Sequence, residues 1–213
     1  MRIGLIGAGR IGGTLARLAV EQGHEVVLSN SRGPQTLVDQ VDELGDAARA
    51  ATPRAAAADG DVVIVAVPFR AIQDLPAAAL AGKVVVDTTN YYPARDGQVA
   101  ELDEGKTTSS ELLAALAPDA QVVKAFNSIH FVELGSEGEP AGVPGRRALP
   151  MAGDDVAAKQ AVAELIDSFG FDVVDVGPLG EGWRFQPGTA AHNVRLDRPQ
   201  LESALGAADQ RIA

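Results

Sequence analysis

"RIGLIGAGRIG", residues 2–12, decides how this chain folds. A short apolar run meets a G-x-G-x-x-G spacing formed by Gly7, Gly9 and Gly12, and residues 10–22 then take up helical spacing. Ile11, Leu15, Leu18 and Ala19 share one helix face, and Gly23 supplies the stop. As a bare string the motif is weak. Between a strand and a helix, at the start of a β-α-β unit, it predicts a dinucleotide-binding turn. Gly7 is expected to permit the tight turn, Gly9 to let backbone approach a pyrophosphate, and Gly12 to let the helix pack closely on the sheet. Arg10 and Ile11 open the helix, whose first N–H groups and partial positive charge favour an anion.

The same alternation continues outward. "EVVLS" (25–29), "DVVIVAV" (61–67), "KVVVD" (83–87) and "QVVKAF" (121–126) are short β-rich runs separated by Ala/Leu-rich stretches of helical spacing. Runs apolar on both faces suit a parallel sheet covered on both sides, so the expected class is α/β, a doubly wound, mostly parallel Rossmann-type sheet with a smaller C-terminal extension. Residues 1–145 would form the nucleotide-binding domain and 146–213 a part that completes an acceptor pocket. Between them lies a Gly/Pro-rich connection, 133–147, which reads either as an excursion over the ligand or as a hinge. A strand "ALPMAG" (148–153), a helix over 156–169 and a strand "FDVVDVG" (171–177) follow. The tail from Pro178 is less regular and holds the only tryptophan.

Composition removes several function classes. The 213 residues are 46% hydrophobic and 22% charged, with a formal charge of -11. That charge opposes binding to nucleic acid or an anionic membrane surface, while leaving room for one local basic pocket. The apolar runs fall far short of the roughly 20 residues that cross a bilayer. With no cysteine there is no disulfide, thiolate catalysis or Cys-ligated metal. A motif that begins by residue 7 leaves no room for a signal peptide, so the cytoplasm is the expected compartment. Assembly is not written in the sequence, and a homodimer is the default because it is the commonest oligomer.

Cofactor choice turns on "VVLSNSRGP", residues 26–34. In folds of this kind a carboxylate about 20 positions past the glycine loop bonds the adenosine 2′-hydroxyl of NAD and would repel the 2′-phosphate of NADP. Here Asn30, Ser31 and Arg32 stand in its place. Arginine offers planar, permanently charged donors, the serine and asparagine offer uncharged ones, and Pro34 suits the first position of the next helix. NADP(H) is the expected cofactor. An ordinary polar turn with a solvated arginine is the alternative.

Ligands in such sheets sit beyond the carboxyl ends of the strands. Val67, Pro68 and Phe69 follow one strand, Asn90 another, and Ala125 and Asn127 a third. Pro68 and Phe69 are expected to wall the nicotinamide, and Asn90 and Asn127 to bond its carboxamide or ribose, unless each asparagine merely closes its own turn. His24, His130 and His192 lack metal-ligand spacing, so no metal is expected. His24 belongs to a helix-to-strand turn. His130 is the candidate proton donor near the reacting ring, with a plain structural imidazole as the alternative. No Ser/His/Asp arrangement can be assembled.

Together, and in this order, "LIGAGRIGGTLA", "SNSRGP", "DTTNYYP", "VVKAFNSI" and "GPLGEGWRFQPGT" resemble the coenzyme F-420-dependent NADP oxidoreductase family over nearly the whole chain. The resemblance implies a Rossmann-type domain binding NADP(H), a smaller C-terminal part that completes a pocket, and direct hydride transfer between nicotinamide C4 and a deazaflavin ring. It places Gly7, Gly9 and Gly12 at the pyrophosphate, Ser31 and Arg32 at the 2′-phosphate, and residues 125–130 between cofactor and acceptor. The architecture is also similar to the cytosolic nucleotide-binding part of membrane ferric reductases, where the acceptor is a flavin. Residues 133–147 and the tail "TAAHNVRLDRP" carry no firm match. For an anionic deazaflavin side chain, Arg70, Arg146, Arg147 and Arg184 are the cations available. Two other readings remain: a reductase of a small carbonyl or imine using a proton from His130, Tyr91 or Tyr92, and an NADP(H)-binding sensor module without chemistry.

Overall fold

A computed structural model describes residues 1–209. Eight strands form one sheet in the order β3-β2-β1-β4-β5-β6-β7-β8. They are β1 (Arg2–Ile6), β2 (Glu25–Ser29), β3 (Ala48–Ala50), β4 (Val62–Val65), β5 (Val84–Asp87), β6 (Gln121–Lys124), β7 (Ala148–Gly153) and β8 (Asp172–Asp175). The pairings from β3 to β6 are all parallel; β7 is antiparallel to β6 and parallel to β8. The doubly wound, mostly parallel sheet is therefore present, and the chain beyond residue 146 continues it with β7 and β8.

Alternation on the strands divides the interior into two layers. Leu5, Val26, Leu28 and Val86 face a cluster with Leu15, Leu18 and Ala19 of the Arg10–Glu21 helix, while Ile6, Val63, Val65 and Val85 face a second cluster with Leu80 and Leu113. A parallel sheet covered on both faces requires this double burial. The helices over it are stopped and started by identifiable groups. Thr108 and Glu111 close a reciprocal capping box on the Ser109–Leu116 helix, and Asp155 accepts from Ala158 N at 2.7 Å to cap Val156–Ser168.

Three sequence expectations shift. The apolar runs overshoot the strands: β4 ends at Val65 and β6 at Lys124, while Ala66 N still donates to Ile6 O and Ala125 N to Asp87 O, and Ala125 and Phe126 go on into the core. The edge strand β3 escaped the apolar reading because its three residues, Ala-Arg-Ala, carry almost no hydrophobic signal. Finally, the 133–147 connection neither covers the strand ends nor swings freely. Arg17 Nη2 donates to Gly135 O at 3.2 Å, Glu139 N donates to Gly170 O at 2.9 Å, and Arg146 Nη1 binds Asp167 at 2.6 Å and Asp172 at 3.0 Å. The segment straps the first helix to the end of the Val156–Ser168 helix.

Candidate dinucleotide site and adjoining cleft

The three glycines divide their labour. Gly7 sits at φ 107°, and a Cβ there would lie 2.3 Å from the Ala66 carbonyl oxygen; at Gly12 a Cβ would lie 1.8 Å from Gly7 O. Those two are demanded by the fold itself, since neither gap could hold a side chain. A Cβ at Gly9 would meet nothing within 4 Å. Only at Gly9 is the missing side chain unexplained by the protein's own packing, and that opening suits close approach of a ligand. Gly9 is also the N-cap of the Arg10–Glu21 helix, with no side-chain cap and no acidic residue in the first turn. The N–H groups of Arg10, Ile11 and Gly12 thus face the opening without a capping oxygen or a repelling carboxylate.

At the end of β2 the loop is pinned beside this turn, for Gly7 N donates to Ser29 O at 2.9 Å. Asn30 is spent on the loop: its Oδ1 accepts from Arg32 N at 2.9 Å and its Nδ2 donates to Thr36 Oγ1 at 2.9 Å. It shapes the turn with its oxygen and one of its two side-chain N–H groups, which leaves a second N–H beside Ser31 and Arg32. Both are exposed, and the Arg32 guanidinium makes no hydrogen bond or ion pair with a described residue. Pro34 does take the first helical position, but of a short 3-10 turn, Pro34–Leu37, instead of an α-helix.

The strand ends β4, β5 and β6 need one correction. Phe69 is buried, with its ring edge-on to Tyr91 at 5.3 Å between centroids, so it belongs to the second core layer and leaves the half-buried Val67 and the exposed Pro68 at the strand end. Asn90 and Asn127 do not close their own turns; they pair across the strand ends. Asn90 Nδ2 donates to Asn127 O at 2.8 Å, and Asn127 Nδ2 donates to Asn90 Oδ1 at 3.2 Å and to Phe185 O at 3.1 Å. Phe126, between Ala125 and Asn127, holds φ 58°. A buried aromatic in the left-handed region costs of order 1–3 kcal/mol and persists where packing over-determines it. Here the turn sends the Phe126 ring toward Phe169, 5.9 Å away, while Asn127 meets Asn90.

Sequence reasoning missed the group that holds this corner. Asp87 and Lys124 are cross-strand partners at the ends of β5 and β6, almost wholly buried. Lys124 Nζ binds Asp87 Oδ2 at 3.1 Å, Ser109 Oγ at 3.3 Å and the Thr89 carbonyl; Asp87 also accepts from Ser110 Oγ at 2.6 Å and from Thr89 N at 2.8 Å. Both backbone groups of Thr89 are clamped by one ion pair, one residue before Asn90. Burial holds the Lys124 ammonium below its ordinary pKa, against the pull of Asp87. A lysine inside an otherwise apolar buried strand was the available signal, because such a charge needs a partner.

The histidines separate as well. His24 lies beside the N-terminal amine, its Nδ1 3.4 Å away, and its backbone N–H donates to Ala19 O in the helix-to-strand turn. His130 is exposed and stacks on Phe131 at 4.5 Å, itself under the Arg10 guanidinium at 5.1 Å. His192, which the sequence left unassigned, is the inner one: Nδ1 lies 3.2 Å from Phe185 O, the carbonyl that Asn127 also uses, and Nε2 is buried without a hydrogen-bond partner among the described residues. Burial lowers its pKa, and the Lys124 charge adds to that. Among the described residues no three His, Asp or Glu side chains gather as a metal site.

A cleft of 610 Å³ opens beside the asparagine pair, between Tyr91–Pro93 on one side and Trp183 with Gln186–Gly188 on the other. One wall begins one residue beyond Asn90, and in the other Trp183 and Gln186 lie on either side of Phe185 in the chain. The Tyr91 hydroxyl is engaged, donating to Asp103 at 2.8 Å and accepting from Val99 N at 2.9 Å. Of the four arginines considered for an anionic acceptor, three are structural: Arg146 binds Asp167 and Asp172, the fully buried Arg147 binds Glu133 and Glu137, and Arg184 binds Glu181 and Leu205 O.

With this geometry in place, comparison with known proteins adds a family match. Residues 2–91, from β1 through the glycine turn to just past the β5 end, match the family model described as "NADP oxidoreductase coenzyme F420-dependent". A hypothetical protein from Sinorhizobium meliloti, SMa0349, shares 34% identity with a TM-score of 0.79 over 93% of this chain and 95% of that one. A structure from Arthrobacter sp. fb24 described as an F420-dependent NADP reductase shares 29% identity with a TM-score of 0.71, covering 84% of this chain and 85% of that one. Metalloreductase STEAP3 of Rattus norvegicus is 31% identical over 180 residues, 84% of this chain and 34% of the relative. The chain thus spans about a third of the curated metalloreductases it matches. Among the described residues no helix is long and apolar enough to cross a membrane.

Proposed function

We propose that this chain binds NADP(H) and transfers hydride between its nicotinamide and a planar ring acceptor of the deazaflavin or flavin type. The observation that carries the proposal is the arrangement along one sheet edge: the opening at Gly9, the unpaired Arg32 guanidinium, the Asn90–Asn127 pair, and an aromatic cleft that starts one residue past that pair. In order, these suit a pyrophosphate, a 2′-phosphate, a carboxamide or ribose, and a second ring. The residues fit the dinucleotide on the strength of the open cradle at Gly9 and the uncapped first turn beside it.

Bound NADP(H) would supply the hydride chemistry. The protein's own part is alignment and exclusion of water. Arg32 and Ser31 would hold the adenosine end and the first-turn N–H groups the pyrophosphate. Val67 and Pro68 would border the ring, and the Asp87–Lys124 clamp, acting through Thr89, would keep Asn90 in place. A carbonyl or imine acceptor would need a positioned proton donor, and the Tyr91 hydroxyl is already committed to Asp103.

The test is NADPH oxidation by the purified chain against deazaflavin, flavin, quinone and carbonyl acceptors. Turnover with the planar rings and none with carbonyls is expected. Turnover with carbonyls alone would replace this reading by the carbonyl reductase, and tight NADPH binding with no turnover by any acceptor would replace it by a sensor.

A further inference from the structure

The cleft beside the asparagine pair is lined in one chemical style. Tyr91, Tyr92 and Trp183 give it aromatic surface and Leu102 aliphatic surface. None of the described residues lining it is a lysine, arginine or histidine, whereas Asp103 and Glu104 both line it. The cations that border it are neutralised by their own partners. Arg95, with its guanidinium carbon 4.9 Å from the Tyr92 ring centre, pairs with Asp96 at 2.7 Å. Arg184, 4.5 Å from the Trp183 ring centre, pairs with Glu181, and Lys106 pairs with Glu104. A phosphate-bearing ligand entering here would meet the Asp103 carboxylate, and Glu104 offset by Lys106, without an unpaired cation in the lining, on a chain whose net charge of -11 already repels it. An uncharged ring meets aromatic faces and loses nothing to that field.

Resting on the hydride-transfer reading above, we propose that this cleft is the acceptor subsite and that it selects planar rings without phosphate or other anionic substituents. The bare flavin nucleus, as in riboflavin, is the class it fits, ahead of phosphorylated flavins and anionic deazaflavins. Asp103, the lining carboxylate without a cationic partner among the described residues, sets that preference by like-charge repulsion. The reaction balances: the C4–H bond of the dihydronicotinamide breaks, hydride carries both electrons to flavin N5 and forms the N–H bond, NADPH becomes NADP+, and one proton from water completes the reduced flavin.

Trp183, the single tryptophan of the chain, lies in the lining and reports occupancy without turnover. The full chain is titrated with oxidised riboflavin and with riboflavin 5′-phosphate, following Trp183 fluorescence corrected for absorption. Riboflavin is expected to quench with an affinity about tenfold or more above its phosphate, a gap of about 1.4 kcal/mol. Asp103→Asn is expected to narrow that gap, and Glu104→Gln, which unpairs the exposed Lys106 ammonium beside the cleft, to narrow it without touching the Tyr91 bond. Equal or tighter binding of the phosphate overturns the selectivity. Quenching by neither flavin, while NADPH is still oxidised by riboflavin, overturns the placement of the acceptor in this cleft. Absence of NADPH oxidation with every acceptor overturns the hydride-transfer reading itself.

Discussion

The glycine turn after β1 and the cleft beside β5 and β6 lie along one edge of one sheet, yet they are built in opposite ways. At the turn, recognition is by backbone: a few consecutive residues create the opening at Gly9 and leave uncapped N–H groups around it. In the cleft, recognition is by side chains brought together from residues 91–107 and 183–188, with the join made by Asn127 on the Phe185 carbonyl. A site made of backbone needs particular residues at fixed short spacings. A site made of converging side chains needs only a fold that brings them together. The first is therefore legible in a sequence and the second is not.

The largest expected effect breaks the join between the two regions. Lys124→Met leaves Asp87 buried without its cation and should lower the unfolding free energy by about 3–5 kcal/mol in urea titration, with much of it recovered when Asp87→Leu is added. A loss below about 1 kcal/mol for Lys124→Met would mean that the clamp on Thr89 carries nothing. Next comes the glycine contrast. Gly9→Ala should leave stability within about 0.5 kcal/mol, since nothing lies within 4 Å of the new Cβ, yet weaken NADPH about tenfold. Gly12→Ala should instead destabilise the fold, because its Cβ would lie 1.8 Å from Gly7 O. Identical behaviour of the two variants would erase the division of labour among the glycines.

Smaller effects sharpen the cleft side. Thr108→Ala removes the capping box on the Ser109–Leu116 helix, which presents Ser109 and Ser110 to the buried pair, and should cost about 1 kcal/mol with the NADPH affinity unmoved. The least is a pH effect. The folded pKa of His192 is lowered from 6.5, so below that value the unfolded chain takes up the proton first and stability is lost as pH falls. His192→Gln should flatten the fall in urea midpoint on acidification, by well under about 1 kcal/mol. His24, lowered in the same direction by burial and the N-terminal charge, keeps its own slope in that variant. An unchanged slope would remove His192 from the buried network.

How much was legible follows from this contrast. The strands, the first helix with its Gly23 stop, the tight turn at Gly7, the close packing at Gly12 and the position of Arg32 at the end of β2 all rest on spacings within about 30 residues, and they read directly. Asn30 also shapes its own loop, a task the sequence left unread, because a short polar side chain at a turn can serve the loop and a ligand with the same residue type. Phe69 was placed after the right strand, and only tertiary packing sent its ring inward to Tyr91. Arg146 and Arg147 looked like free cations because their carboxylate partners lie 10 to 26 positions away in sequence. His192 stayed silent for the same reason: its meaning comes from the Phe185 carbonyl and Lys124, neither of which a tail without periodicity announces.

Arg32 carries the central claim, that the end of the second strand is a cradle for the 2′-phosphate. Calorimetric titration of the chain and of Arg32→Ala with NADPH and with NADH tests it most directly. The expected result is tighter binding of NADPH by the unaltered chain and a loss of about 1.5 to 3 kcal/mol for NADPH alone in the variant, the size of a charge-assisted bond. Equal affinity of the unaltered chain for both dinucleotides, or an equal loss for both on substitution, would contradict it.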